Sequence, residues 1–112
     1  MNAAEFRELA LEMPEASEGA HMGHPDFRVG GKVFASLGPQ EDWGMVRVSL
    51  ERQAELVAAH PKAYQACAGS WGRQGCTKVT LASARVPTVR KALIESWRRT
   101  APPALVKRFD GE

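Results

Sequence analysis

The chain has 112 residues, of which 44% are hydrophobic and 25% charged, and this length predicts one domain over residues 1–112. Its apolar runs are shorter than the roughly 20 residues that a membrane span requires, and its first residues lack the features of a signal peptide, so we expect a cytoplasmic protein with no membrane partner. The formal net charge is +2, but residues 1–60 carry −5 and residues 61–112 carry +7, which predicts an acidic side and a basic side unless the charges mix on the surface.

The first predicted element is an amphipathic helix over residues 2–13, which Pro14 ends. Its apolar stripe consists of Phe6, Leu9, Ala10 and Met13. Glu5, Glu8 and Glu12 form an acidic ridge that could bind a basic partner or a cation, or simply face solvent. Residues 17–22 suit a short extended segment.

Residues 27–37 predict a β-hairpin. We favour a three-residue reversal over 30–32, which places Val33 on the apolar face. This register makes two pairs, Val29 with Val33 and Phe27 with Ala35. A two-residue Gly30–Gly31 turn would instead pair Val29 with Lys32.

The remaining elements alternate between strands and helices. Strands are predicted at 43–48 and 76–81, a helix from Ser49 to about His60, a further helical turn over 61–67, and the longest helix over 86–100, which Pro102–Pro103 ends. The apolar stripes are Leu50, Ala54 and Val57 in the first of these helices, and Val86, Val89, Leu93, Ile94 and Trp97 in the last. Together the elements predict an α+β fold in which helices cover one face of an antiparallel sheet.

Two glycine-cornered segments, 24–34 and 71–79, place basic side chains near predicted chain reversals. Such side chains can bind nucleic-acid phosphates with salt-sensitive affinity and little sequence preference, which makes DNA the candidate partner. The predicted nucleic-acid-binding residues are Arg28, Lys32, Arg73, Lys78, Arg98 and Arg99. The same turns are also an ordinary way for a small domain to reverse its chain.

A metal site and a ligand pocket are further hypotheses. His21, His24 and Asp26 could ligate a divalent metal only with another ligand and a second shell, so we expect no bound metal and no cofactor. A small-ligand pocket near His24, Trp43 and Trp71 is the other hypothesis.

Catalytic signatures are absent from the sequence. Ser49 and Ser70 lie outside any nucleophile elbow, and Cys76 has no local signature of a nucleophile, so we expect a protein that is not an enzyme. Cys67 and Cys76 are too few for a disulfide framework and predict reduced core residues in a reducing compartment.

Four stretches taken together resemble the MmcQ/YjbR family of small bacterial proteins. They are residues 6–9 with 13–15, residues 24–35, the WGRQG sequence at 71–75, and SWRR at 96–99 followed by Ala101–Pro102. In this order they span nearly the whole chain. One departure is Cys76, which stands where relatives commonly have an aromatic residue.

The resemblance implies a CyaY-like (frataxin-like) fold with a twisted antiparallel sheet. It also implies a double-wing mode of DNA binding, in which the two basic hairpins contact the phosphate backbone and Cys76 weakens the second wing. The alternative is a non-enzymatic adaptor that binds a protein or a metal through the acidic ridge. We expect a monomer or weak dimer.

Overall fold

The computed structural model describes residues 1–111, which contain five α-helices, six strands and a 3₁₀ turn at Leu81–Ser83. The helices are α1 Ala3–Leu11, α2 Leu50–Ala59, α3 Gly69–Arg73, α4 Val86–Thr100 and α5 Pro103–Phe109. The strands are β1 Ser17–His21, β2 His24–Val29, β3 Lys32–Leu37, β4 Trp43–Arg47, β5 Tyr64–Ala66 and β6 Cys76–Thr80. Within this described part of the chain, no helix has the length and apolarity needed to cross a membrane.

The six strands form one antiparallel sheet in the order β1-β2-β3-β4-β6-β5. Helix α4 packs across β3 and β4, and α1 packs beside α4. The sheet residues beneath these helices are almost fully buried: Phe27, Val29, Ala35, Leu37, Val46 and Val79. The predicted α+β fold, with helices on one face of an antiparallel sheet, is confirmed.

The other side of the sheet carries half-exposed side chains, and we call it the open face. It is defined by His24, Arg28, Ser36, Met45, Arg47 and Lys78. Strand alternation points these side chains, most of them polar, away from the buried apolar ones on the helix side.

Helices α1 and α4 form where the apolar stripes predict them. Asn2 begins α1 with a capping box, because its side chain accepts the Glu5 backbone N–H while the Glu5 carboxylate accepts the Asn2 N–H. Helix α4 has the predicted bounds, and its Trp97 is fully buried and donates its indole N–H to the Pro14 carbonyl at 3.0 Å.

A buried serine joins α4 to two strands. The Ser96 Oγ accepts the backbone N–H of Arg47 at 2.9 Å and donates to the Phe34 carbonyl, and Ser96 has no exposed surface. The pairing of β3 with β4 ends at Ala35 and Val46. The hydroxyl therefore bridges the two strands just beyond their last paired residues.

The predicted three-residue hairpin reversal is wrong. The turn contains only Gly30–Gly31, with φ of 59° and 79°, and Val29 pairs with Lys32. The strands then slip by one residue at a bulge, where Phe34 is the extra residue. The bulge restores the predicted pairing of Phe27 with Ala35, while Val33 lies on the open face and is 37% exposed.

The second glycine-cornered segment is not a simple hairpin. Residues 64–66 form β5 instead of the expected helical turn, and the short helix α3 connects β5 to β6. A second short helix, α5, follows Pro102 and was not predicted.

The predicted stripe of α2 is also wrong. Leu50 and Ala54 are exposed, and Gln53 and Leu56 are buried. The Gln53 amide donates to the carbonyls of Gly72 in α3 and Cys76 in β6, at 3.1 and 3.0 Å, so a polar residue on the buried side of α2 satisfies backbone acceptors on both sides of the turn before β6.

Replacing Ser96 with alanine leaves the Arg47 N–H and the Phe34 carbonyl without their buried partner. We expect Ser96→Ala to lower the free energy of unfolding by about 3 kcal/mol in urea denaturation. Thr100→Ala is the matched control, because the Thr100 hydroxyl bonds only the Ser96 carbonyl within α4, and its loss should cost about 1 kcal/mol. Equal losses would contradict the bridging role.

The turn before β6 requires glycine at position 75. Gly75 has φ of 96°, its carbonyl accepts the Val48 N–H at 3.0 Å, and a Cβ there would overlap the Val48 carbonyl oxygen. We expect Gly75→Ala to cost more than about 2 kcal/mol in the same assay. Gly31→Ala is the control, because Gly31 also has a positive φ, 79°, but a Cβ there would meet open space. It should lower the free energy of unfolding by about 1 kcal/mol. An equal or smaller loss for Gly75→Ala would contradict the requirement for glycine at position 75.

Candidate nucleic-acid and ligand-binding surfaces

The two glycine turns lie at the same end of the sheet. Strand β3 begins, β4 ends and β6 begins at this end, because Ala35 pairs with Val46 and Arg47 pairs with Cys76. We call it the turn end. Lys32, the first residue of β3, and Arg73, the last residue of α3, are exposed beside the two turns there.

A shallow cavity of about 450 Å³ lies at the turn end. It is lined by Arg47 from the end of β4, Gln74 from the segment before β6, and Arg99 from the last turn of α4. No carboxylate lines it, and within residues 1–111 neither arginine takes part in an ion pair. We call it the turn-end cavity.

A second cavity, of about 390 Å³, crosses the open face from β2 to β6 and is mainly apolar. We call it the open-face cavity. Phe34, Met45 and Trp71 supply apolar walls, and Trp71, on α3, is 65% exposed. Arg28 and Arg47 supply cationic groups, so that Arg47 lines both cavities.

The charge of Arg28 is balanced by its neighbour Asp26. Their side chains make two bonds, Nε to Oδ1 at 2.8 Å and Nη2 to Oδ2 at 3.0 Å, and Asp26 is only 2% exposed. These hydrogen bonds, with the attraction of the carboxylate, raise the pKa of Arg28. Gly19 of β1 makes room for the pair, because a Cβ there would lie 3.0 Å from Asp26 Oδ1.

Two other predicted nucleic-acid-binding residues are also engaged. The Arg98 guanidinium forms an ion pair with Asp110, and the Lys78 ammonium lies 5.3 Å from the centre of the Trp43 ring. Of the six predicted cations, the structure therefore brings Lys32, Arg73 and Arg99 to the turn end without an ion pair among residues 1–111.

The open-face cavity includes two of the three residues predicted for a ligand pocket. His24 and Trp71 line it, whereas Trp43 does not and instead lies beneath Lys78. Arg47 was not predicted as a site residue. The signal for it was modest, namely an arginine in line with Met45 on the outward side of a strand.

His21 and His24 face each other across the β1–β2 turn, and the carboxylate of Asp26 is held by Arg28. Across residues 1–111, no three His, Cys, Asp or Glu side chains come together in a way that could hold a metal ion. The acidic ridge of α1 is partly engaged, since Glu5 caps the helix and Glu12 pairs with Arg90 at 2.7 Å.

The two cysteines are free thiols. Burial raises the pKa of both Cys67 and Cys76, and the charge of Arg47 opposes this rise at Cys76. A raised pKa keeps a thiol protonated at neutral pH, which disfavours a nucleophilic role.

Comparison with known proteins gives a fold relative and a family. No curated protein matches the sequence. The crystal structure of the Deinococcus radiodurans protein DR2400, which has a DUF419 domain, is similar over 97% of this chain and 88% of that one, with a TM-score of 0.79 and 19% sequence identity. This likeness supports the fold. The sequence model of the YjbR family matches residues 11–99. The chain therefore belongs to the YjbR family, as its sequence stretches suggest.

Proposed function

We propose that this protein binds nucleic acid through the phosphate backbone, at the turn end of the sheet, and acts without catalysis. The observation that carries the proposal is the turn-end cavity, where Arg47 and Arg99 converge with the amide of Gln74 and no carboxylate is present in the lining. Guanidinium groups match the geometry of phosphate oxygens and bind them with two parallel hydrogen bonds.

The two glycine turns extend this surface. Lys32 and Arg73 are exposed on either side of the end of β4, where they would contact phosphates next to the one held in the turn-end cavity. Arginines that have no carboxylate partner can pair with a phosphate without first breaking an ion pair. Each phosphate that they neutralise also releases counterions from the nucleic acid, which favours binding. Of the two wings that the resemblance implies, only the first is a hairpin and the second consists of α3 with the turn before β6, so the proposed contact is centred on Arg47 between them.

Three predicted contacts have a smaller role in this proposal. Arg28, Arg98 and Lys78 already interact with Asp26, Asp110 and Trp43. A phosphate would have to compete with those partners. This binding mode contacts phosphates and reads no bases, so affinity should depend strongly on salt and little on sequence.

The test is fluorescence anisotropy with a short labelled DNA duplex at salt concentrations from about 50 to 200 mM. We expect the double variant Arg47→Gln/Arg99→Gln to bind at least about tenfold more weakly at the lowest salt, with a salt slope smaller by about 2. The reason is the loss of two phosphate contacts.

The matched control is Lys62→Gln/Arg85→Gln, which removes the same charge from the opposite end of the fold. Lys62 precedes β5 and Arg85 precedes α4, and both are exposed. The control should lower the affinity less than about threefold, through the general field alone. Equal losses in the two double variants, or no binding by the unmodified protein, would overturn the proposal.

A further inference from the structure

We propose that the open-face cavity is a binding site for a small organic carboxylate with a flat apolar body. This site is separate from the nucleic-acid surface, although the two share Arg47. Three features of the cavity favour such a ligand: its size, the balance of charge in its walls and the exposed indole of Trp71.

The cavity has the dimensions and lining of a small-molecule site. Its volume of about 390 Å³ falls within the range of roughly 300–1,000 Å³ that is usual for ligand pockets, which are mainly apolar with a few polar groups. Phe34 is 1% exposed and forms part of the wall because the β3 bulge changes the alternation at this point. Met45, half-exposed, supplies an adaptable apolar surface beside it.

The charge of the walls favours an anion. Arg28 and Asp26 compensate each other, and the two bonds between them fix the orientation of the Arg28 guanidinium. Arg47 has no carboxylate partner within residues 1–111. One positive charge therefore stays uncompensated in a largely apolar space, and a ligand carboxylate would both neutralise it and bond the planar guanidinium at two points.

Trp71 supplies the flat apolar contact. Its large indole side chain is 65% exposed. Trp71 lies in the short helix α3 and lines the cavity. Covering an exposed indole with a flat ring removes apolar surface from water and allows offset stacking. A ligand that combines a ring with a carboxylate would use Trp71 and Arg47 together.

The experiment compares 2-naphthoate with 2-naphthamide, which has nearly the same shape but no charge, by isothermal titration calorimetry. We expect 2-naphthoate to bind with a Kd below about 1 mM and at least tenfold more tightly than 2-naphthamide. Arg47→Gln should remove this preference, and Trp71→Ala should weaken both probes by about fivefold or more. Each variant's melting temperature shows whether it is folded.

Arg99→Gln is the matched control, since Arg99 lines only the turn-end cavity. The affinity of this variant for 2-naphthoate should stay within about twofold of the affinity of the unmodified protein. Conversely, Trp71→Ala should leave DNA affinity nearly unchanged, so the two proposals can fail separately. Equal affinity for the two probes, no heat of binding in the millimolar range, or a preference that survives Arg47→Gln in the folded variant would overturn the inference. In an NMR titration of the unmodified protein with 2-naphthoate, chemical-shift changes confined to residues away from Trp71 and Met45 would overturn it as well.

Discussion

Both candidate surfaces depend on the two hydrogen bonds that the Ser96 hydroxyl makes with the sheet. It is fully buried, and it satisfies one donor and one acceptor that the β3–β4 ladder leaves free, the Arg47 N–H and the Phe34 carbonyl. Buried backbone groups need such partners, so these hydrogen bonds set the position of α4 against the ends of β3 and β4, in addition to its apolar packing. The same contact fixes the backbone of two cavity-lining residues, Phe34 and Arg47, and places the last turn of α4, with Arg99, beside the end of β4.

The local partners of each arginine decide which positive charges are available to a ligand. Arg28 and Arg47 both lie on the open face, but Asp26 holds Arg28 through two short bonds, whereas Arg47 has the thiol of Cys76 as its cross-strand neighbour. A net charge of +2 says little about such differences. Two arginines on the same face thus differ: Arg28 is held in an ion pair, whereas Arg47 forms none within residues 1–111 and is the one proposed to bind an anion.

The sequence predicts the elements that depend on local periodicity and fails where tertiary contacts select the geometry. Helix α4 is predicted to the residue, because Val89, Leu93 and Trp97 repeat at helical spacing. The hairpin register is not, because the bulge at Phe34 allows a two-residue turn and still buries Phe27 opposite Ala35. The choice between the two turns lies in how β3 fits its neighbours, which no local pattern contains.

The candidate site was predictable in part for the same reason. The glycine turns and their exposed cations, Lys32 and Arg73, follow from the sequence, whereas Arg47 gains its role only from two distant neighbours, Gln74 and Arg99. The position of Arg47 between two cavities also has an energetic consequence for the two proposals.

A carboxylate held by Arg47 in the open-face cavity would lower the positive potential of the turn-end cavity and so weaken phosphate binding there. Thermodynamic linkage then requires that a phosphate bound in the turn-end cavity weakens carboxylate binding by the same factor. The sharing of one guanidinium would therefore make the two proposed ligands competitors, although the other lining residues, such as Arg99 in one cavity and Trp71 in the other, belong to one cavity each.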